Sequence, residues 1–171
     1  MSLHSRRQFL QTSALLSAAT VSMPQLSFAQ DDKKKEKKVV KKVSPSERLR
    51  VAVIGFNGQG MGHIRGYAGM ADTEIVMLCD TDQKVAEKGI KAARDLQEKE
   101  PVYVQDLRRV FDDKSIDAVS IATPNHWHAL ASIWAMQSGK DVYVEKPVSH
   151  NVSEGRRMVE FARKLGRIVQ T

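Results

Sequence analysis

The chain has 171 residues, 42% of them hydrophobic, enough for one domain with a proper core but not for two of ordinary size once a leader is set aside. Its net charge of +7 is gathered at one end: residues 1–42 carry nine Lys or Arg against three Asp or Glu, and residues 43–171 carry eighteen against seventeen. So neutral a body argues against a nucleic-acid-binding face, and the single cysteine, Cys79, excludes an intramolecular disulfide. Cys79 sits in the apolar run "IVMLCD" and reads as a small buried thiol.

The amino terminus runs "SRRQFLQ" from Ser5, then a weakly apolar stretch from Phe9 to Met23, then the small residues Ser27 and Ala29. A basic start, an apolar middle of about 7 to 15 residues and a small-x-small site are the parts of a secretory signal. Gln11, Thr12, Ser13, Ser17, Thr20 and Ser22 make the middle too polar for a spanning helix, which needs about 20 apolar residues, so no stable membrane anchor is expected. Ser5, Arg6, Arg7, Phe9 and Leu10 resemble the twin-arginine (Tat) signal, with Gln11 where Lys is often found. That resemblance implies residues 1–29 as a signal peptide, the twin-arginine machinery as a partner, and export to a bacterial periplasm or beyond. Residues 30–47 hold "DDKKKEKKVVKK" outside every periodic segment and read as a solvated Lys-rich linker; the alternative is a polyanion-binding tail.

From Arg48 onward, short β-branched runs alternate with longer amphipathic stretches, the pattern of βαβ units. Strands are predicted at "RLRVAVIGF" from Arg48, "TEIVMLCD" from Thr73, "VYVQD" from Val102, "DAVSIAT" from Asp117, "DVYVEK" from Asp141 and "RIVQT" from Arg167. Most are apolar without strict alternation, as buried parallel strands are. A helix is predicted from Asp82 to Glu100, with Val85, Ala86, Ile90, Ala93 and Leu96 at helical spacing. The next, Asn125 to Ser138, puts Trp127, Leu130, Ala131 and Trp134 on one face and stops at Gly139; both tryptophans read as core. Asn151 to Leu165 opens on a capping box, Asn151 with Glu154, and closes at Gly166. The sum is an α/β fold of the Rossmann type, a doubly wound parallel sheet over residues 48–171.

The first strand runs into "GFNGQGMGH", where glycines let backbone N–H groups close around a pyrophosphate at a helix start. Aligning Gly55 and Gly60 with the first and third glycines of the dinucleotide fingerprint puts Asn57 at the second, with Gly58 next to it. A tight strand-to-helix turn without a ligand is the alternative. Asp80 ends the second strand 20 residues after Gly60, where an acid bonds both ribose hydroxyls of an adenosine. A carboxylate there repels a 2′-phosphate, which favours NAD, while Lys84 on the next helix keeps NADP open. Asp80 could instead serve only as a helix cap.

"ATPNHWH" and "YVEKP" close the fourth and fifth strands, where open α/β sheets bind ligands. Together with the glycine loop ending in His63 and with Asp80, they resemble the Gfo/Idh/MocA family of nicotinamide-dependent oxidoreductases over residues 48–171. The resemblance implies that Gly55, Phe56, Asn57, Gly58, Gly60 and Met61 line the pyrophosphate and Asp80 the adenosine ribose. Thr123, Pro124, Asn125 and His128 then fall on the nicotinamide side, and Glu145 and Lys146 beside the nicotinamide ribose and the substrate. Lys146 is the catalytic candidate, since an ammonium beside a reacting carbinol hydrogen-bonds its oxygen as the carbonyl develops. The Lys146–Pro147 bond is open to either isomer.

His126 and His128, two apart, project about 200° apart on a helix and cannot share a metal, so no metal site is expected. His63 reads as a packing residue of the first helix, and His4, His126 and His150 carry no assigned role. The family resemblance also implies a following α+β domain that supplies most of the substrate pocket, with a homo-oligomer left open for the full-length form. The chain stops at Thr171 inside a predicted strand, so these residues are expected to bind cofactor without the full catalytic machinery. The implied activity is NAD(P)-dependent oxidation or reduction of a sugar, cyclitol or related polyol; the alternative is a secreted noncatalytic binding module on a nucleotide-binding scaffold.

Overall fold

The computed structural model describes Ser44 and residues 47–171. The signal peptide, the twin-arginine motif and most of the linker lie outside the described residues. Six parallel strands form one sheet: β1 (Leu49–Ile54), β2 (Thr73–Cys79), β3 (Val102–Val104), β4 (Ala118–Ile121), β5 (Asp141–Val144) and β6 (Val169–Gln170). Their spatial order is β3-β2-β1-β4-β5-β6, so the chain winds outward to β3, returns to β4 beside β1, and winds outward again. This is the doubly wound sheet that the alternating pattern predicts.

Both faces of the sheet are covered, which is why the strands read as unbroken apolar runs. Side chains alternate along a strand, so Ala52 and Ile54 of β1 join one core and Val53 joins the other. In β2 the register against β1 slips between Val51 and Ala52, which leaves Val76 as an extra residue. Met77 and Cys79 therefore reach the first core, and Ile75 and Leu78 the second. Helices α1 (Gly60–Ala68) and α2 (Ala86–Arg94) pack on the second core through Ile64, Ala68 and Ala93. Helices α3 (Leu107–Asp112), α4 (His128–Gln137) and α5 (Val152–Leu165) pack on the first through Val110, Ala131, Ala135 and Met158.

Three predicted elements change in detail. The helix expected from Asp82 begins as a 3₁₀ turn, Gln83–Val85, because the Asp82 carboxylate accepts Lys84 N–H, and α2 ends at Arg94. The helix expected from Asn125 likewise starts as a 3₁₀ turn, Asn125–Trp127, and becomes α4 only at His128. Its buried face is His128, Ala131, Ser132 and Ala135; Trp127 is 38% exposed, so reading it as core is corrected, whereas Trp134 is partly buried and packs against the first core. At α5 the Asn151 side chain accepts Glu154 N–H, and the Glu154 carboxylate reaches back one residue further than a capping box requires, to His150 N–H. Gly166 ends α5 at φ 61°, a left-handed conformation that glycine adopts without strain. Among the described residues no helix is long and apolar enough to cross a membrane.

Candidate active site: the dinucleotide cleft

The strand order reverses between β1 and β4, and a cavity of about 910 Å³ opens at the carboxyl ends of β1, β2 and β4. Gly55 enters it from β1 at φ 79°, and a Cβ there would lie 2.8 Å from Thr123 N. A Cβ on Gly60 would lie 2.0 Å from Gly55 O, so the first turn of α1 packs directly on the loop that precedes it. Gly58 is different, since it lines the cavity and a Cβ there would meet nothing within 4 Å. No side chain caps α1 and no acid sits in its first turn, which leaves the positive end of the helix facing the loop.

Asp80 carries two duties at the end of β2. Its carboxylate accepts Phe56 N–H at 2.8 Å and Asp82 N–H at 3.0 Å, which fixes the glycine loop against the second strand. Each oxygen keeps a lone pair for a ligand hydroxyl, and the residue lines the cavity. Phe56 presents only its backbone: its side chain is fully buried, its ring 6.3 Å from that of Tyr103 and edge-on. Gly89 of α2 lies beneath that ring, where a Cβ would come within 2.5 Å. Burial, with Asp80 and Asp106 nearby, pushes the Cys79 thiol up to about 12, so it is a neutral wall of the cavity.

On the far wall, Thr123 and Pro124 follow β4, and the buried Thr123 Oγ1 has no hydrogen-bond partner among the described residues. An orphaned hydroxyl on a residue that lines a cavity is a position for a ligand's polar atom. His128 is 2% exposed; its ring nitrogens lie 2.7 Å from Pro147 O and 2.8 Å from Thr123 O. Both neighbours accept only, so a neutral ring donates to just one of them, and the ring packs between the two loops instead of lining the cleft. The Lys146–Pro147 bond is cis.

Of the residues named from the sequence, Gly55, Phe56, Asn57, Gly58, Asp80, Thr123 and Pro124 line the cavity. Gly60 and Met61 are buried behind it, and Asn125, His128, Glu145 and Lys146 lie outside its lining, with Lys146 exposed and Glu145 half-buried at the end of β5. His63, read as a packing residue, bridges Ser120 at 2.8 Å and Glu145 at 3.0 Å. Sequence reasoning missed the wall beyond β3, where Gln105, Asp106 and Arg108 line the cavity. The Arg108 guanidinium bonds Asp106 at 2.6 Å, and Lys84 stays outside the lining. Trp127 and Trp134, expected in the core, also line it. Among the described residues no three His, Cys, Asp or Glu are grouped to hold a metal ion.

An open helix end, a glycine with free space beside it, an acid at the second strand and an unpartnered hydroxyl opposite fit a dinucleotide across the switch point. The fold and the cleft define a nucleotide-binding Rossmann domain. A family model described as "Oxidoreductase family, NAD-binding Rossmann fold" matches residues 49–171, and the chain belongs to this family, Gfo/Idh/MocA. It is 31% identical over 169 residues to a glycosyl hydrolase family 109 protein of Shewanella pealeana, covering 93% of this chain and 37% of that one. It is 29% identical to an alpha-N-acetylgalactosaminidase of Shewanella oneidensis, with the same coverage. An NAD-binding oxidoreductase from Klebsiella pneumoniae superimposes with a TM-score of 0.62 at 30% identity, covering 72% of this chain and 34% of that one. The chain thus spans little over a third of the length of the curated relatives it matches.

Proposed function

We propose that this chain is the NAD-binding part of an exported oxidoreductase that acts on a sugar, cyclitol or related polyol. The observation that carries the reading is the cleft itself: it lies at the switch point of an NAD-binding fold, with Glu145 and Lys146 closing the next strand but one from β1. The bound dinucleotide supplies a hydride acceptor and donor. In this reading Gly55 to Gly60 seat its pyrophosphate, Asp80 its adenosine ribose and Thr123 its nicotinamide half. Asp80 favours NAD over NADP, because Arg108, the cation that lines the cavity, is already paired with Asp106. Lys146 holds the substrate oxygen through a hydrogen bond that strengthens as a carbonyl develops.

The relatives' names support a sharper substrate class, a glycoside of an N-acetylated amino sugar. Hydrolysis has no net redox change, so an NAD-binding hydrolase must oxidise and reduce within one turnover and keep its dinucleotide bound. The twin-arginine resemblance agrees with that: the route carries folded proteins, and a cofactor bound before export needs no exchange outside.

Trp127 and Trp134 line the cavity and report its occupancy. Titrating the full chain with NADH is expected to quench tryptophan emission and sensitise nicotinamide emission; no change in either, with no dinucleotide released on denaturation, would sink the reading. In the full-length protein, cleavage of an aryl N-acetylgalactosaminide without net NADH formation would favour the glycosidase form over a simple dehydrogenase. Replacing Arg6 and Arg7 with Lys is expected to strand the folded protein in the cytoplasm, measured by cell fractionation.

A further inference from the structure

His63 sits one turn into α1, three residues beyond Gly60, and its side chain is only 10% exposed. Its Nδ1 lies 2.8 Å from the hydroxyl of Ser120, a fully buried residue of β4, and its Nε2 lies 3.0 Å from Glu145 Oε1 at the end of β5. A carboxylate can only accept, so Nε2 carries a proton toward Glu145, and in the neutral ring Nδ1 accepts from the Ser120 hydroxyl. The other Glu145 oxygen accepts Lys146 N–H at 3.1 Å. Every polar atom in this path has a partner, and the Glu145 side chain is 14% exposed, so little water competes.

The path joins two places that the sheet otherwise keeps apart. The start of α1 forms the pyrophosphate seat, whereas Glu145 and Lys146 stand two strands away. We propose that His63 is a positioning residue that sets the Glu145–Lys146 pair in register with the glycine loop, and so fixes the nicotinamide half of the cofactor relative to its pyrophosphate. This rests on the dinucleotide reading above. The hydrogen bond from His63 is also the largest cause holding the Glu145 carboxyl below its ordinary range, with Lys146 N–H adding to it and burial opposing it. The other titratable groups facing the path are Tyr67 of α1, whose phenol is raised by burial, and Tyr143 of β5, whose ring stands edge-on to His63 at 5.4 Å.

The test compares the full wild-type chain with His63→Ala, His63→Gln and Glu145→Gln, using NADH and ADP-ribose as probes. ADP-ribose lacks the nicotinamide, so it reads the adenosine and pyrophosphate seats alone. His63→Ala is expected to weaken NADH about tenfold, a loss of about 1.4 kcal/mol, and to leave ADP-ribose unchanged. His63→Gln, which can offer an N–H to Glu145, is expected to recover most of that loss. Adding His63→Ala to Glu145→Gln is expected to cost nothing further, because one acts through the other. A carbon-13 NMR titration of the Glu145 carboxyl is expected to shift upward in His63→Ala. Equal losses for both probes, additive losses in the double variant, or an unmoved Glu145 titration would overturn the proposal. If neither probe binds the wild-type chain and no dinucleotide is released from it on denaturation, the dinucleotide reading fails first, and with it the coupling to a nicotinamide seat. The Glu145 titration then decides by itself whether His63 governs the carboxylate.

Discussion

A Cβ on Gly60 would sit 2.0 Å from a backbone oxygen, whereas one on Gly58, two residues earlier, would meet open space. Packing therefore demands glycine at Gly60 but not at Gly58, which in the proposed reading faces the ligand. Gly60→Ala must push helix α1 off its loop and is expected to cost about 3 kcal/mol of stability, read from urea denaturation. Gly58→Ala is expected to leave stability within about 0.5 kcal/mol while raising the NADH dissociation constant about tenfold, because its methyl would stand at the proposed pyrophosphate seat. Asp80 cannot be separated so cleanly, since the carboxylate that faces the cavity also holds Phe56 N–H. Its loss would disturb the loop as well as the proposed ribose seat.

Two helices show how local side chains set element ends. The six-residue α3 is capped by Asp106, which accepts Arg108 N–H at 3.0 Å and pairs with the Arg108 guanidinium. The guanidinium hydrogen bond, aided by that N–H, holds the Asp106 carboxyl down at about 2. An unfolded Asp titrates near 3.9, so the folded form is favoured fully above about pH 4 and loses this contribution as pH falls toward 2. The stability gap between wild type and Asp106→Asn is expected to close over that window, measured by denaturation midpoints at successive pH values. At α5, Asn151 caps Glu154 N–H at 3.0 Å, and Asn151→Ala is expected to cost about 1 kcal/mol of thermal or chemical stability.

Across the whole molecule the two edges of the sheet do different work. The carboxyl ends of the strands carry the cleft, while the loops at the amino ends are tied by charged side chains to backbone groups. Arg50 Nε donates to Ser115 O, Arg167 to Gly139 O, and the Asp141 carboxylate accepts Ile168 N–H. Lys140, 1% exposed, donates to Asp113 O and Ile116 O, and burial lowers its ammonium from the ordinary range. Lys140→Met leaves those two carbonyls without their donor and is expected to cost about 2 kcal/mol of stability. The NADH dissociation constant should change less than about threefold, because the cleft lies at the opposite edge.

Periodicity and turn residues were enough to place all six strands, the helices α1 and α5, and the motifs that close β1, β2, β4 and β5, because those signals are local. The same logic named Gly55 and Asp80, whose positions follow from strand ends, whereas Thr123 was named through the family resemblance. It could not name Gln105, Asp106 and Arg108, which belong to the cleft only because β3 lies beside β2. It also misjudged Trp127, which is 38% exposed while Trp134 packs against the first core, since seven-residue spacing shows that side chains share a face and not what that face meets. His63 is the clearest case. A histidine in the first turn of a helix carries no local mark of function, and its link to Glu145, 82 residues away, exists only because parallel winding brings β4 and β5 alongside α1. The sequence by itself determined which segments could be strands, helices and phosphate-binding turns, because those depend on neighbours in the chain. Only the tertiary structure decided which of their side chains meet, because that depends on the order in which the strands are laid side by side.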